Sequence, residues 1–168
     1  MKGKIDDKGN APSKNFDIEI KDAETKKVTK AVVDTNTGEY AAVVNSKVKH
    51  DLIVTVKKDN YAFSSAMIMK DSVKNSKPIK MNITTDTIKP NSVYIIRNLY
   101  YETNSAVLNP RCMIVVDEFV DFLKTHPNLK IEIHGHTDNV GNDKANLALS
   151  TDRAFTVRDL LLAKKRNR

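Results

Sequence analysis

The stretch IHGHTDNVGNDKANLALSTDRAFTVRDLL, residues 133–161, carries the strongest structural and chemical pattern in the chain. An acid, Asp138, lies where a predicted strand passes into a loop, and Arg153 lies on the helix predicted to follow. The loop between them contains a single glycine, Gly141. A carboxylate binds an ammonium group, and a guanidinium fork binds a carboxylate through two parallel hydrogen bonds. A fixed pair of this kind suits a zwitterionic ligand, such as the head group of a free amino acid.

The segments around this loop predict alternating strands and helices. Residues 130–137 are predicted as a strand and residues 143–163 as a helix. The helix is expected to pack through an apolar stripe of Leu147, Ala154, Val157 and Leu161. A β-rich run over residues 93–101 precedes both. With the helix described next, the order is strand, helix, strand, helix, which predicts a βαβα unit.

An earlier helix is marked by signals at both of its ends. Asn109 is a favourable N-cap, Pro110 fits the first helical position, and Pro127 ends the helix. Apolar residues recur at helical spacing between these signals. They predict a buried face that consists of Cys112, Val115, Val116, Phe119, Phe122 and Leu123.

The first half of the chain has the pattern of short strands separated by polar turns. Apolar and charged residues alternate over residues 16–20, and apolar residues recur at every second position at Leu52, Val54 and Val56, the period of a half-buried strand. The sequence Asn36-Thr37-Gly38 separates two further β-rich runs, which predicts a hairpin. More strands are predicted at residues 61–69 and 79–83. Strands at this spacing are typical of a small antiparallel sandwich.

Composition limits the classes of function. The chain has 168 residues and a net charge of +7. No dense basic stripe with interleaved aromatic residues occurs, so nucleic-acid binding is not expected. No apolar run is long enough to span a bilayer, and the N-terminus lacks the apolar segment of a signal peptide. The single cysteine, Cys112, excludes an internal disulfide and is expected to be a buried core thiol.

Two other interpretations of the loop region stay open from the residues alone. Asp138 and Arg153 can pair with each other as a structural ion pair, since such pairs are common at surfaces. Alternatively, Glu132, His134 and His136 share one strand face with Asp138, a pattern that can bind a metal ion. The expectation is that no metal and no cofactor binds. No serine or cysteine nucleophile lies in a recognisable catalytic context, so the chain is not expected to be an enzyme.

The same residues resemble the peptidoglycan-binding signature of the OmpA-like C-terminal domain family. That signature is matched in register by Asn146, Leu149, Ser150, Arg153, Ala154, Val157 and Leu161. The GHTD sequence of residues 135–138 and the loop glycine match as well. A match of this length and spacing is specific. The resemblance covers residues 91–162.

The resemblance implies a ligand and a set of binding residues. In the family, the acid and the arginine hold the diaminopimelate of the peptidoglycan stem peptide, and Asp138 and Arg153 occupy those positions. The implied ligand-binding set is Asp138, Arg153, Thr137, Asn139, Gly141, Asn146 and Tyr101. Asn146 either bonds to the ligand or fixes the helix to the loop. Tyr101 either forms a wall of the pocket or packs in the core.

The order of turns and aromatic residues in the first half is similar to the carboxypeptidase regulatory-like β-sandwich. The expected fold class is therefore α+β: an antiparallel β-sandwich at residues 1–90, then an OmpA-like domain at residues 91–168. The family continues with further strands that this chain lacks, so the second domain is expected to be C-terminally incomplete, a truncated βαβα unit.

These resemblances imply non-covalent peptidoglycan binding that tethers an outer-membrane or periplasmic assembly to the cell wall of a Gram-negative bacterium. The expected location is the periplasm, with a signal peptide that is absent from this sequence. A protein partner from the cell envelope is expected for the N-terminal domain. The alternative is an envelope protein–protein interaction module whose OmpA-like half does not bind peptidoglycan.

Overall fold

The structure is a computed structural model that describes residues 1–8, 15–44, 49–73 and 78–166. The chain divides into two compact units, Met1–Asn98 and Leu99–Arg168. The division expected from the sequence, between residues 90 and 91, stays a prediction. The likeness of the first half of the chain to a carboxypeptidase regulatory-like sandwich also stays a prediction.

The first unit is built from short strands. In the described ranges these are β1 (Lys2–Asp6), β2 (Asp17–Asp22), β3 (Val28–Lys30), β4 (Val32–Val33), β5 (Glu39–Ala41), β6 (Leu52–Lys57), β7 (Ser64–Ile68) and β8 (Ile83–Thr84). A 3-10 turn, Lys70–Ser72, follows β7. β2 and β6 fall on the two segments that were predicted from alternation, and β4, β5, β7 and β8 fall on or overlap the other predicted strands. β1 and most of β3 lie outside the predicted strands.

The strands form two four-stranded sheets, with orders β4-β5-β1-β8 and β3-β2-β6-β7. The longest pairing joins β2 and β6, in which Ile18 lies opposite Val56 and Ile20 opposite Val54. Among the described residues, the pairings between these eight strands are antiparallel, except that β1 runs parallel to β8. The expected antiparallel arrangement therefore holds with one parallel exception at a sheet edge.

The core of the first unit lies between the two sheets. Ile18, Ile20 and Val54 of one sheet cluster with Ile5 and Tyr40 of the other. Burial of apolar side chains contributes about 25 cal/mol per Å² removed from water, so this shared layer is the main stabilising contribution. Two sheets that share one core form the β-sandwich expected from the sequence.

The predicted hairpin is present between β4 and β5. The side chain of Asp34 accepts hydrogen bonds from the backbone N–H groups of Asn36, at 2.8 Å, and Thr37, at 3.1 Å. Gly38 adopts a positive φ of 71° directly after them. These two hydrogen bonds lower the pKa of the Asp34 carboxyl, because they favour its charged form.

The second unit contains the two predicted helices. Asn109 caps a 3-10 turn, Pro110–Cys112, by accepting from the N–H of Arg111 at 3.0 Å, and α1 (Met113–Thr125) follows. The helix ends before Pro127, as predicted. Its predicted face is buried at Cys112, Val115, Val116 and Phe119, whereas Phe122 and Leu123 are only half-buried. Cys112 is fully buried, which confirms it as a core residue, and this burial raises the pKa of its thiol.

The second helix, α2 (Asp143–Arg166), packs against α1 through its C-terminal half. Val157 and Leu161 are buried, and Lys164 donates to Asp117 of α1 at 2.7 Å. The predicted stripe was wrong at Leu147, which is 70% exposed. Leu147 lies ten residues before Val157, about 15 Å along the axis, so it is far from the part of α2 that contacts α1.

The two strands expected in the OmpA-like half are not formed as hydrogen-bonded strands. Residues 93–101 are interrupted by Asn98, which has a positive φ of 66°, and only an isolated bridge pairs Tyr101 with Leu108. Residues 130–137 pair with no other backbone segment in the described parts of the chain. A strand requires a hydrogen-bonded neighbour, so the sequence pattern alone was insufficient.

No helix in the described ranges has the length and apolar content needed to cross a membrane.

Candidate ligand-binding site

Arg153 makes more contacts than Asp138, the other charged group of the predicted site. It is half-buried on α2. Its Nε donates to the backbone carbonyl of Ser105 at 3.1 Å, and its Nη1 donates to the backbone carbonyl of His136 at 3.1 Å. A guanidinium carries five N–H donors, so three remain for other acceptors. The two backbone anchors fix the plane of the guanidinium.

Tyr101 supports the same guanidinium from one side. The Cζ atom of Arg153 lies 4.8 Å from the centroid of the Tyr101 ring, within cation–π range. The Tyr101 hydroxyl also donates to the backbone carbonyl of Arg153 at 3.4 Å. Burial raises the pKa of Tyr101, and the positive charge of Arg153 partly opposes that shift. Tyr101 is therefore a neighbour of the arginine and stays a neutral hydroxyl donor at physiological pH.

Asp138 is exposed on the loop that precedes α2. Its Oδ1 accepts from the N–H of Val140 at 3.4 Å, a local turn contact. Among the ion pairs of the described residues, none joins Asp138 to Arg153. The arginine nevertheless reaches the same segment, because its partner His136 lies two residues before Asp138. Arg153 therefore contacts the segment that carries Asp138, and the two side chains form no ion pair among the described residues.

Asn146 ties the loop to the helix. Its Nδ2 donates to the carbonyl of Val140 at 3.0 Å and to the carbonyl of Asp138 at 3.4 Å. The helix start is capped by Asn142, whose Oδ1 accepts from the N–H groups of Lys144 and Ala145 at 3.0 and 3.2 Å. Of the two roles left open for Asn146, the structure shows the one that fixes helix to loop.

Two glycines allow this loop and helix to meet. At Gly135, a Cβ would lie 2.0 Å from the carbonyl oxygen of Ser150, so α2 rests directly on the backbone of residue 135. At Gly141, φ is +100°, a conformation that other residues adopt only with strain. The first glycine sets the distance between segment and helix, and the second turns the loop back towards α2.

The remaining predicted residues lie on the same segment. Thr137 is half-buried and Asn139 is exposed. On the face of the metal alternative, His134 Nε2 lies 3.3 Å from Glu132 Oε1, and both side chains are exposed. In the parts of the chain that the structure describes, no three His, Cys, Asp or Glu side chains come together as a set of metal ligands.

Three contributors to the site were missed from the sequence. The carbonyls of Ser105 and His136 gave no signal, because any residue supplies a backbone carbonyl. Asn142 did give a signal: an asparagine directly before a helix is a favourable N-cap.

Comparison with known proteins matches residues 100–167 to the OmpA family. The outer membrane porin F of Pseudomonas aeruginosa is 43% identical over 47 residues, which is 28% of this chain and 13% of that protein. The peptidoglycan-associated lipoprotein of Rhizobium meliloti is 32% identical over 66 residues, 39% of this chain and 38% of the relative. The peptidoglycan-binding protein ArfA of Mycobacterium tuberculosis is 34% identical over 64 residues, 38% of this chain and 20% of the relative.

The chain thus spans less than two-fifths of the length of these curated relatives. No solved structure matches the chain significantly. The matched residues contain both helices, the glycine at the helix contact, and the Asp138 and Arg153 pair. Residues 100–167 form an OmpA family domain.

Proposed function

We propose that the OmpA family domain binds peptidoglycan non-covalently, with Asp138 and Arg153 holding the zwitterionic end of the diaminopimelate in the stem peptide. One observation carries the proposal. The Arg153 guanidinium is anchored by the Ser105 and His136 carbonyls, yet it makes no ion pair with the exposed Asp138 among the described residues. An oriented cation beside an available carboxylate is complementary to a ligand that carries one charge of each sign.

The anchors decide which donors meet the ligand. Because Nε and one Nη1 hydrogen are engaged, the free donors are those of Nη2 and the second Nη1 hydrogen. These point from the end of the guanidinium fork and can bind a carboxylate through two parallel hydrogen bonds. The ammonium of the same amino-acid head group then meets Asp138. Orientation of Arg153 before binding lowers the entropic cost of forming the complex.

The names of the relatives support the ligand class. One relative is named a peptidoglycan-associated lipoprotein and another a peptidoglycan-binding protein. We infer a binding module of the cell envelope that has no catalytic role. A single head group buries little surface, so tethering of an outer-membrane or periplasmic assembly to the cell wall requires many copies that act together.

Co-sedimentation with purified sacculi tests the proposal. Arg153→Ala and Asp138→Ala should each abolish binding, because loss of one partner of a desolvated charged pair costs on the order of 2–5 kcal/mol. Arg153→Lys should fail nearly as badly, since an ammonium lacks the planar fork. Arg158→Ala is the matched control, because Arg158 lies on the same helix, is exposed, and pairs locally with Asp159 at 2.8 Å.

A comparison of sacculi that differ in the stem-peptide residue tests whether diaminopimelate itself is the recognised group or whether the chain binds peptidoglycan in general. Binding to diaminopimelate-containing sacculi and not to lysine-containing sacculi supports the head-group assignment. Equal binding to both would retain peptidoglycan but exclude the zwitterion as the recognised group. Retained binding by all three site variants, with melting temperatures unchanged, would exclude Asp138 and Arg153 as the binding site.

A further inference from the structure

Two hairpin turns of the first unit share one hydrogen-bonding pattern. The turn between β2 and β3 starts at Asp22, and the turn between β4 and β5 starts at Asp34. In each turn, the aspartate Oδ1 accepts from the N–H groups two and three residues later, at 2.8–3.1 Å. A residue with a positive φ follows in both, Lys26 at 60° and Gly38 at 71°. The two turns therefore form a matched pair within one chain.

Among the described residues, the first of these turns alone contacts a histidine. The Nδ1 atom of His50 lies 3.1 Å from Asp22 Oδ1, and its Nε2 atom lies 3.1 Å from Glu24 Oε2. The His50 side chain is half-buried. One carboxylate thus faces each nitrogen of the ring, and the two carboxylates lie at opposite ends of it.

This ring extends a contact that the backbone begins. Asp22 lies opposite Leu52 at the end of the ladder between β2 and β6. Beyond this pair, the N–H of Ala23 donates to the carbonyl of Asp51 at 2.9 Å. His50 adds the next contact in the same direction. It holds the turn between β2 and β3 against the chain that enters β6.

The protonation state of the ring determines how many of its contacts are favourable. A neutral imidazole has one N–H donor and one acceptor nitrogen, whereas an imidazolium has two donors. Because ionised carboxylates only accept, a neutral ring donates to Asp22 or to Glu24 and turns a lone pair towards the other. An imidazolium donates to both and carries the opposite charge. Histidine changes its charge between pH 5 and 8, so both contacts are favourable on the acid side of that range.

The neighbouring charged groups leave the two carboxylates as the partners of the ring. Asp51 directs its carboxylate to the N–H of Lys70 at 2.9 Å, and Lys49 is exposed. Burial acts to raise the pKa of Asp22, but hydrogen bonds from two turn N–H groups and from His50 bring it below its usual value. Asp22 is therefore an anion wherever histidine titrates.

We propose that His50 is a pH-sensitive clamp on the turn between β2 and β3. In acid, the protonated ring holds Asp22 and Glu24 and keeps the turn against the chain that enters β6. As pH rises, the ring loses a proton, one carboxylate loses its donor, and the turn opens more often. The matched turn at Asp34 lacks the ring and does not respond in this range.

Solvent-exchange NMR on the full chain compares the two turns. The probes are the N–H groups of Thr25 and Thr37, which bond to Asp22 and Asp34. Base catalysis speeds exchange at both amides alike, so the ratio of their rates isolates the clamp. We expect the rate at Thr25, divided by the rate at Thr37, to rise about threefold or more between pH 5.5 and 8.

Variants test whether the ring causes this rise. His50→Gln keeps a hydrogen-bonding side chain that does not titrate, so the ratio should stay constant. Glu24→Ala removes the acceptor beside Nε2, so a neutral ring can donate to Asp22 alone and the rise should fall below about twofold. His126→Gln is the matched control, because His126 Nδ1 lies 2.9 Å from the Phe122 carbonyl oxygen of the helix that it ends. This variant should keep the native rise.

Three outcomes would overturn the proposal. The first is a ratio that does not change with pH in the native chain, which would mean that the ring does not control the turn. The second is a rise that persists in His50→Gln, which would assign the effect to another group. The third is an equal loss of the rise in His126→Gln, which would assign it to the stability of the whole chain.

Discussion

The guanidinium of Arg153 lies against the ring of Tyr101, and the Tyr101 hydroxyl returns a hydrogen bond to the backbone carbonyl of Arg153. The two residues are 52 positions apart in the chain. The contact therefore holds the start of the second unit against α2. It also means that the orientation of the Arg153 guanidinium depends on the aromatic side chain of Tyr101.

Tyr101→Ala should weaken sacculus binding by about two- to fivefold, because a cation–π contact that is not fully buried contributes about 0.5–1 kcal/mol. Tyr101→Phe keeps the ring and should bind within twofold of the native chain. Co-sedimentation of both variants gives the comparison. A loss in Tyr101→Phe as large as that in Tyr101→Ala would assign the effect to the hydroxyl and not to the ring.

Gly135→Ala should destabilise the OmpA family domain, because the new Cβ would lie 2.0 Å from the backbone oxygen of Ser150. The expected loss of unfolding free energy is about 1–3 kcal/mol, the usual cost of overpacking. Gly141→Ala meets no atom within 4 Å and should cost only the strain of its positive φ, about 1–2 kcal/mol. Denaturant unfolding of the two variants gives the comparison. A smaller loss of unfolding free energy in Gly135→Ala than in Gly141→Ala would mean that α2 does not rest on the backbone of residue 135.

Asn146→Ala should speed amide exchange at residues 138–141 and weaken sacculus binding, because the loop loses its two hydrogen bonds to α2. Each such bond contributes about 0.5–1.5 kcal/mol. Ser150→Ala is the matched control, since the Ser150 hydroxyl donates to Leu147 within its own helix. Weaker binding with unchanged exchange would show instead that Asn146 contacts the ligand directly.

Acid should weaken the hairpin between β4 and β5 as Asp34 is protonated. The folded-state pKa of this carboxyl is lowered by the N–H groups of Asn36 and Thr37. Its contribution to stability is therefore present above the unfolded pKa, near 3.9, and is lost as pH falls through the lower folded value. Circular dichroism melts between pH 2 and 5 should show that the melting temperature of Asp34→Asn falls less on acidification than that of the native chain.

Asp59→Asn, an exposed carboxylate in the turn after β6, serves as the control for this titration. It should follow the acid dependence of the native chain. If the fall in melting temperature on acidification were reduced equally in both variants, the effect would be due to net charge and not to the hydrogen bonds of Asp34.

Local patterns predicted the elements that bury one face. Alternation located β2 and β6, and the capping signals located the start of α1, because these signals depend on neighbours in sequence. β1 was missed, since only Ile5 within it is buried and the rest of its sequence is polar or glycine. Its pairing with β5 and β8 depends on segments more than 30 residues away.

The site was predictable as far as side chains define it. Asp138, Arg153, Asn146 and Tyr101 were named from the family signature, and the structure brings Tyr101, Asn146 and Arg153 into one neighbourhood with the Asp138 loop. Leu147 and the strand at residues 130–137 were wrong, because periodicity indicates which residues share a face but not whether another segment covers that face.

The two anchors of Arg153 are backbone carbonyls, those of Ser105 and His136. Every amino acid offers the same carbonyl, so the exposed side chain at position 136 is free to vary while the cation keeps its direction, whereas the Ser105 hydroxyl has a role of its own in accepting from the N–H of Val107 at 3.0 Å. Saturation mutagenesis scored by cell-wall retention should therefore tolerate nearly any residue at 136. The geometry of recognition would then be inherited through the path of the chain, and relatives with an unlike residue at this position would still present the arginine in the same way.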